Sequence, residues 1–136
     1  MKPKSILLVE DDINLRNSIA LILQRAGYRI TSSEYICEEM EFINAGKFNL
    51  IISDIDIQET MDALLPKVRG SNLHMPILIL TDQPITESEL EYKSFYLHYL
   101  SKPIDPACIL DCVQDILSRN NHIQRTNSKI HTYGAL

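Results

Sequence analysis

The stretch ILLVEDD at residues 6–12 decides which class of fold this chain adopts. Its first four residues are all apolar, without the polar alternation of a half-exposed strand, and therefore predict a β-strand that is buried on both faces. Three acids, Glu10, Asp11 and Asp12, follow where this strand should end. Strands buried on both faces belong to parallel sheets that helices cover on each side, so the stretch predicts an α/β protein.

A helix-type pattern follows the first strand, and the strand-then-helix unit occurs five times. Apolar residues between Leu15 and Ala26 recur at steps of three and four, and Gly27 occupies the position after the predicted helix end. Asp105 and Pro106 are a typical N-cap and first residue of the last helix, which ends near residue 119. The remaining predicted strands are 28–32, 50–52, 77–80 and 99–100, and the remaining predicted helices are 36–46, 61–69 and one that starts at Thr86.

The length and composition predict one soluble domain with a short tail. The chain has 136 residues, of which 45% are hydrophobic and 23% charged, and no apolar run approaches the roughly 20 residues of a membrane helix. The acids after residue 9 also make the first apolar run too short for a signal peptide, so we expect a cytoplasmic protein. The net charge of −5 provides no general attraction to nucleic acid. We expect a domain over residues 1–119 and a polar tail or linker over residues 120–136.

Three cysteines, Cys37, Cys108 and Cys112, cannot all pair with one another. Cys108 and Cys112 stand one helical turn apart, but no histidine lies near them in the sequence. We therefore interpret them as buried or half-buried thiols and not as ligands of a metal ion.

Polar residues follow the predicted strands at the points where the strands end. In an open parallel sheet these points form one edge, where ligands bind in a crevice. Several carboxylates at one edge repel one another, and a hard cation such as Mg²⁺ relieves that repulsion. The residues concerned are Glu10-Asp11-Asp12 after the first strand, Asp54-Ile55-Asp56 after the third, Thr81-Asp82 after the fourth and Ser101-Lys102-Pro103 after the fifth.

This set of side chains has the chemistry for phosphoryl transfer. With Mg²⁺ bound, one carboxylate can attack a phosphorus atom, as aspartate nucleophiles do, while Lys102 supplies a countercharge. The Thr81 hydroxyl can donate a hydrogen bond to a phosphoryl oxygen and so report its presence. Each residue also has a simpler interpretation: Asp12 as a helix N-cap, Thr81 and Tyr99 as strand packing, and Lys102 as a solvated charge. Only their joint position at the strand ends favours the functional interpretation.

In the order Glu10-Asp11, Asp54, Thr81, Tyr99 and Lys102-Pro103, residues 4–119 resemble the response-regulator receiver family. The resemblance implies a doubly wound, three-layer α/β sandwich of flavodoxin type, with five parallel strands in the order 2-1-3-4-5. It also implies a role for each matching residue. Asp54 matches the phosphoacceptor, Asp11 the direct metal ligand, Glu10 the acid that holds a metal-bound water, Asp56 the residue that contributes a backbone carbonyl, Thr81 and Tyr99 the switch pair, and Lys102 the lysine before a cis-proline.

The same resemblance implies a function and partners. The chain should act as a phosphorylation-dependent switch of a two-component system, loaded at Asp54 by a histidine kinase, a phosphotransfer protein or a small phosphodonor in the presence of Mg²⁺. It should catalyse only its own phosphorylation and dephosphorylation. The surface of the fourth predicted helix and the fifth strand should contact an effector domain or partner protein, whereas we expect no membrane contact and no direct nucleic-acid binding. The resemblance leaves a homodimer open.

Two other functions fit parts of the sequence. Asp82 follows Thr81 at a position where the receiver family usually has a small residue, and a carboxylate there would repel a phosphodonor. This departure favours a pseudo-receiver, an interaction module that keeps the fold without being phosphorylated. Asp54-Ile55-Asp56 also resembles the Asp-x-Asp pair of haloacid-dehalogenase-type phosphohydrolases, but that motif normally ends the first strand and is followed by Thr or Val where this chain has Gln58.

Overall fold

The computed structural model describes residues 2–34, 48–54, 74–82, 96–119 and 131–133, together with positions 62, 64, 66 and 68. Within the five continuous ranges the chain forms six strands and two helices, and the four separate positions are helical. The strands are β1 (Ser5–Glu10), β2 (Arg29–Ser33), β3 (Leu50–Asp54), β4 (Ile77–Thr81), β5 (Leu97–Ser101) and β6 (His131–Tyr133), and the helices are α1 (Ile13–Arg25) and α2 (Pro106–Arg119).

All six strands lie in one parallel sheet in the order β2-β1-β3-β4-β5-β6. The predicted order of the first five strands is therefore confirmed. The sequence pattern does not predict β6: it indicates a polar tail over residues 120–136, whereas His131–Tyr133 pair with the stretch from His98 to Leu100 in β5. Three residues are too few to show the alternation of apolar and polar residues by which a strand is recognised in a sequence. This strand forms because the edge of β5 presents backbone N–H and C=O groups with which it can pair.

Alternate residues of the strands pack into two apolar clusters, one on each face of the sheet. Ile6 and Leu8 of β1 belong to the cluster that includes residues of α1 and α2, and Leu7 and Val9 belong to the cluster on the opposite face. β1 is therefore buried on both faces, as its unbroken apolar run predicts. The opposite cluster also contains Phe48, Leu64, Val68 and Met75 from outside the strands.

Both helices begin directly beside the carboxyl ends of the strands. Asp12 caps α1, since its Oδ1 accepts hydrogen bonds from the backbone N–H groups of Asn14 at 2.9 Å and Leu15 at 3.2 Å. Asp105 caps α2 in the same way, through the N–H of Ala107 at 3.0 Å. The simpler interpretation of Asp12 is thus confirmed, and a short turn keeps the N-terminus of α1 next to the acids that follow β1.

The other helix predictions agree with the structure where it describes the chain. Gly27 follows the C-cap of α1 with φ 101°, in the left-handed region that glycine adopts easily. The predicted helix 36–46 and the one that starts at Thr86 lie outside the described residues, as do Cys37 and Asp56. Of the predicted helix 61–69, four alternate positions are described. Neither α1 nor α2 is long and apolar enough to cross a membrane.

Candidate functional site

Glu10 and Asp54 are direct neighbours at one end of the sheet. Each is the last residue of its strand, and the register of β1 and β3 pairs the two positions. Adjacent strands lie about 5 Å apart. Glu10 is completely buried, and the Asp54 side chain is 5% exposed. Two carboxyl groups are thereby held together where little water reaches them, and this opposes ionisation of both at once.

Lys102 brings a positive charge to this pair from the end of β5. Its Nζ lies 2.5 Å from Asp54 Oδ1, and its backbone N–H donates to the carbonyl oxygen of Thr81 at 2.7 Å. The second bond holds the residue after β5 against the last residue of β4. The peptide bond between Lys102 and Pro103 is cis, as the resemblance implies. Asp54, Thr81 and Lys102 therefore meet at one edge of the sheet.

Burial and the neighbouring Asp54 set the protonation of Glu10. Burial, followed by the hydrogen bond and the charge of Asp54, raises the pKa of Glu10 to about 9, against smaller opposing effects of the Asp12 N–H and of Lys102. Partial burial acts to lower the pKa of Lys102, but the hydrogen bond and charge of Asp54, with the charges of Glu10 and Asp82, outweigh it and raise that pKa. At neutral pH Glu10 therefore keeps its proton while Lys102 is charged.

Two buried carboxylate oxygens of this pair, Glu10 Oε1 and Asp54 Oδ2, receive no hydrogen bond from outside the pair among the described residues. Mg²⁺, which binds oxygen through one or two carboxylates and keeps several waters, would supply these oxygens with a cation in place of the proton of Glu10. The residues present therefore fit this ion. Asp11 is exposed, and in the described part of the chain no three His, Cys, Asp or Glu side chains form a group that could hold a metal. Of the four predicted metal residues, the structure brings together Glu10 and Asp54.

Thr81 and Tyr99, the predicted switch pair, share one face of the sheet. Tyr99 is completely buried in the cluster that contains Val9 and Ile79, and the register of β4 and β5 pairs it with Ile79. Thr81 is 4% exposed and lies two residues beyond Ile79 in β4, so its side chain is on the same face. Both residues also serve as core packing, so this placement fits the functional and the simpler interpretation alike.

Arg16 belongs to this site but was not predicted from the sequence. Its side chain is 12% exposed, and its Nη1 donates to the carbonyl oxygen of Glu10 at 2.8 Å. Its Nη2 lies 3.5 Å from Oε1 of Glu34. The only feature of the sequence that points to Arg16 is its place about one turn after the acids, at the start of the helix that Asp12 caps. A single arginine on a helix is more often a solvated charge, so this signal carries little information by itself.

The cysteines of α2 agree in part with the interpretation as buried or half-buried thiols. Both are free thiols and Cys112 is buried, but Cys108 is exposed, so the predicted burial is wrong for Cys108. Burial, assisted by nearby acidic groups and Cys108, raises the pKa of the Cys112 thiol to about 12. Cys112 therefore stays protonated at neutral pH and acts as an apolar side chain in the core.

A parallel sheet of this order, with a lysine-paired aspartate at the end of its third strand and a buried acid at the end of its first, defines the receiver class of α/β domains. The family model described as "Response regulator receiver domain" matches residues 6–114. The chain belongs to this family.

Known proteins with similar sequences and structures agree with this assignment. The transcriptional regulatory protein GlrR of Escherichia coli (strain K12) is 30% identical over 122 residues, which cover 88% of this chain and 27% of GlrR. A CheY-like receiver domain protein from Methanospirillum hungatei JF-1 has a similar structure, with TM-score 0.74 and 25% identity, over 90% of this chain and 99% of that one. A similar fold occurs in the receiver domain of the sensor histidine kinase PA1611 from Pseudomonas aeruginosa PAO1, with TM-score 0.69 and 22% identity over 86% of this chain and 99% of that one. That domain was crystallised with a magnesium ion in its active-site cleft.

Proposed function

We propose that this chain is a phosphorylation-dependent switch of a two-component system, with Asp54 as the phosphoacceptor. The burial of Asp54 at the end of β3, beside Glu10 and in an ion pair with Lys102, supports this role. Membership of the receiver family supports a phosphoacceptor over the phosphohydrolase alternative, since Asp54 ends the third strand and not the first.

In the proposed reaction an oxygen of Asp54 forms a bond to phosphorus while the bond from phosphorus to the donor's leaving group breaks. With a kinase or phosphotransfer protein as donor, the leaving group is a histidine nitrogen. Lys102 offsets the charge of the transferred oxygens, and the Thr81 hydroxyl donates a hydrogen bond to one of them. The phosphoryl group carries a charge of about −1.5 to −2 in place of the single negative charge of the Asp54 carboxylate. It therefore holds Lys102, which is already paired with Asp54, more strongly and draws the Thr81 hydroxyl toward it, and β4 and β5 transmit this change.

Mg²⁺ is the cofactor that we propose for this site. When bound, it offsets the negative charge of the acids and of the phosphoryl oxygens. Asp54 and Asp11 would bind it directly, Glu10 would hold one of its waters, and Asp56 would contribute its backbone carbonyl. The buried carboxylate oxygens of Glu10 and Asp54 that receive no hydrogen bond from outside the pair among the described residues support this proposal. The magnesium ion in the PA1611 receiver domain supports this assignment.

The proposed partners are a histidine kinase or phosphotransfer protein and an effector. The chain spans 27% of the length of GlrR, so the transcriptional activity in that protein's name is not transferred to this chain. We propose that an effector domain or partner protein contacts the surface formed by the fourth predicted helix and β5. β6 covers the outer side of β5, so such a partner contacts β6 or displaces it. A cytoplasmic location fits a kinase partner, and a homodimer is left open.

Incubation with acetyl phosphate and Mg²⁺, followed by intact mass spectrometry, tests the proposed reaction. We expect the wild-type chain to gain one phosphoryl group and Asp54→Asn to gain none. Asp105→Asn is the matched control, because Asp105 is an aspartate near the same edge whose carboxylate caps α2. Removal of Mg²⁺ with EDTA should stop the reaction. A wild-type chain that gains no phosphate with Mg²⁺ present would contradict the phosphoacceptor role.

Two exposed acids favour a pseudo-receiver as the second candidate. Asp11, the predicted direct metal ligand, is exposed, and Asp82 places a further exposed carboxylate next to Thr81. A pseudo-receiver would gain no phosphate either as the wild type or as Asp82→Ala. The mass measurement on these two chains therefore separates the two functions.

A further inference from the structure

Arg16 joins three elements next to the acid pair. It lies in the first turn of α1, and its side chain is largely buried. Nη1 donates to the carbonyl oxygen of Glu10, at the end of β1, at 2.8 Å. Nη2 lies 3.5 Å from Oε1 of Glu34, which directly follows β2. One side chain thereby connects the end of β1, the start of α1 and the residue after β2.

The carbonyl of Glu10 benefits from a donor outside the sheet. The register of β1 and β2 ends with Val9 beside Ser33, so β2 contributes no paired residue at the level of Glu10. A buried backbone carbonyl without a partner costs free energy comparable to a lost hydrogen bond. Arginine suits this place because its planar group carries its donors in a fixed fork, which can meet a carbonyl and a carboxylate together.

The bond from Arg16 fixes the peptide unit between Glu10 and Asp11, because the carbonyl and the N–H that follows it share one plane. The next peptide unit is held as well, since the Asp12 N–H makes a long hydrogen bond of 3.5 Å to Glu10 Oε2 and the Asp12 side chain caps α1. Asp11 therefore stands between two fixed peptide planes, although its own side chain is exposed. These backbone contacts determine the direction of the Cα–Cβ bond of Asp11 and so limit the positions that its carboxylate can reach.

We propose that Arg16 is a positioning residue: it orients the acids at the end of β1 for Mg²⁺ without contacting the ion. This role rests on the proposed metal-dependent function. The two effects of Arg16 on cation binding have opposite signs. Its positive charge weakens Mg²⁺ binding, whereas its hold on the peptide between Glu10 and Asp11 strengthens it. Loss of a group that orients metal ligands typically costs about 10- to 100-fold in affinity, so the positioning effect should be the larger one.

Titration of four variants with Mg²⁺, followed by backbone amide NMR, separates the two effects. Arg16→Met removes both the charge and the donors, and Arg16→Lys keeps the charge without the fork. Arg25→Met is the matched control, because Arg25 is an exposed arginine in the last turn of the same helix. Glu34→Gln weakens the ion pair and leaves the bond to Glu10 in place. We expect about tenfold weaker binding in Arg16→Met, a smaller loss in Arg16→Lys, and both controls within about twofold of wild type.

A second readout needs no metal. In the Mg²⁺-free protein the Asp11 amide resonance should shift in Arg16→Met and in Arg16→Lys but not in Arg25→Met, because this N–H belongs to the peptide unit that Arg16 fixes. Equal or tighter Mg²⁺ binding by Arg16→Met would overturn the proposal. A shifted Asp11 resonance in Arg16→Met together with an unchanged affinity for Mg²⁺ would overturn it as well, because Arg16 would then have a structural role only. If Arg16→Met does not fold, Arg16→Lys decides by the same two criteria. A wild-type chain that binds no Mg²⁺ would contradict the proposed function, and an unshifted Asp11 resonance would then separately overturn the role of Arg16.

Discussion

The acid edge and the β5 flank of the same sheet are held together by different forces. At the acid edge, which comprises Glu10, Asp54 and Lys102, titratable side chains meet where little water reaches them. At the β5 flank, which comprises β5 and β6, three residues of a polar segment pair with the strand through the backbone. A single substitution should therefore change the acid edge strongly, whereas the β5 flank should respond to loss of the whole segment.

The two regions also meet in the chain. Lys102 directly follows β5, and the β5 residues that pair with Thr132 and Tyr133 are Tyr99 and Leu100. A strand that ends at the charged site thus has a short, weakly held neighbour along its outer side. β5 therefore takes part in two different contacts: the charged contact of Lys102 with Asp54 just after its end, and the backbone pairing with β6 along its length. The two contacts can be tested separately.

The largest effect should follow from removal of the charge of Lys102. Lys102→Met leaves the buried Asp54 carboxylate without its cation and removes the countercharge for the transferred oxygens, so phosphorylation by acetyl phosphate should slow by about 100-fold or more. Lys2→Met is the matched control at an exposed lysine and should leave the rate unchanged. Intact mass spectrometry over time measures both rates. A Lys102→Met rate close to that of the wild type would show that the acid edge works without this charge.

The next effect is a pH dependence of stability that Glu10 imposes on the metal-free chain. Its pKa is raised from 4.5 to about 9 in the folded protein, so between these values the folded chain holds a proton that the unfolded chain has released. The contribution of Glu10 to the free energy of unfolding is therefore complete below about pH 4.5 and falls as the pH rises toward 9. One proton contributes a slope of at most about 1.4 kcal/mol per pH unit.

Urea unfolding of wild type and Glu10→Gln at a series of pH values, with EDTA present, measures this slope. The glutamine variant has no proton to lose, so its profile should be flatter across this range. Identical profiles for the two chains would mean that Glu10 is ionised in the folded protein at neutral pH.

A smaller effect should follow from ending the chain at residue 119, which removes β6. Amide hydrogen exchange across Leu97–Ser101 should become about tenfold faster. Pairing over three residues should stabilise the closed state of β5 by roughly 1.4 kcal/mol, and this free energy corresponds to a tenfold change in the exchange rate. β1 lies inside the sheet and is the internal control. The uncovered edge should also promote association at high concentration. If residues 120–136 were a free polar tail, as the sequence pattern alone indicates, the exchange rates in β5 would not change.

The smallest effect should come from Asp82. From the sequence alone, this carboxylate should repel a phosphodonor, and Asp82→Ala should react faster than wild type. In the structure Asp82 is exposed, so solvent and salt screen its charge. We expect Asp82→Ala to raise the rate of phosphorylation by less than about threefold, and the additional change Asp54→Asn to abolish it. A tenfold rise would show that the carboxylate faces the incoming donor.

The acid edge could be predicted to a large extent because its residues stand at the ends of unbroken apolar runs. Such runs predict parallel strands, and parallel strands end at one edge, so Glu10, Asp54 and Lys102 were expected to meet there. The cap at Asp12 was also predictable, since an acid directly before a helical pattern commonly binds the first free N–H groups. The exposure of Asp11 was not predictable, because its orientation depends on peptide units that other residues hold.

The sequence by itself determined the class of fold and the residue types at the acid edge, because apolar periodicity and residue type are properties of short stretches of chain. Only the tertiary structure decided that Glu10 keeps a proton, that Arg16 binds the Glu10 carbonyl and that β6 covers β5. Each of these depends on the distance between groups that no local pattern relates. Burial beside Asp54 changes the charge of an acid far away in the sequence, and an unpaired backbone group accepts whichever donor the fold places within reach.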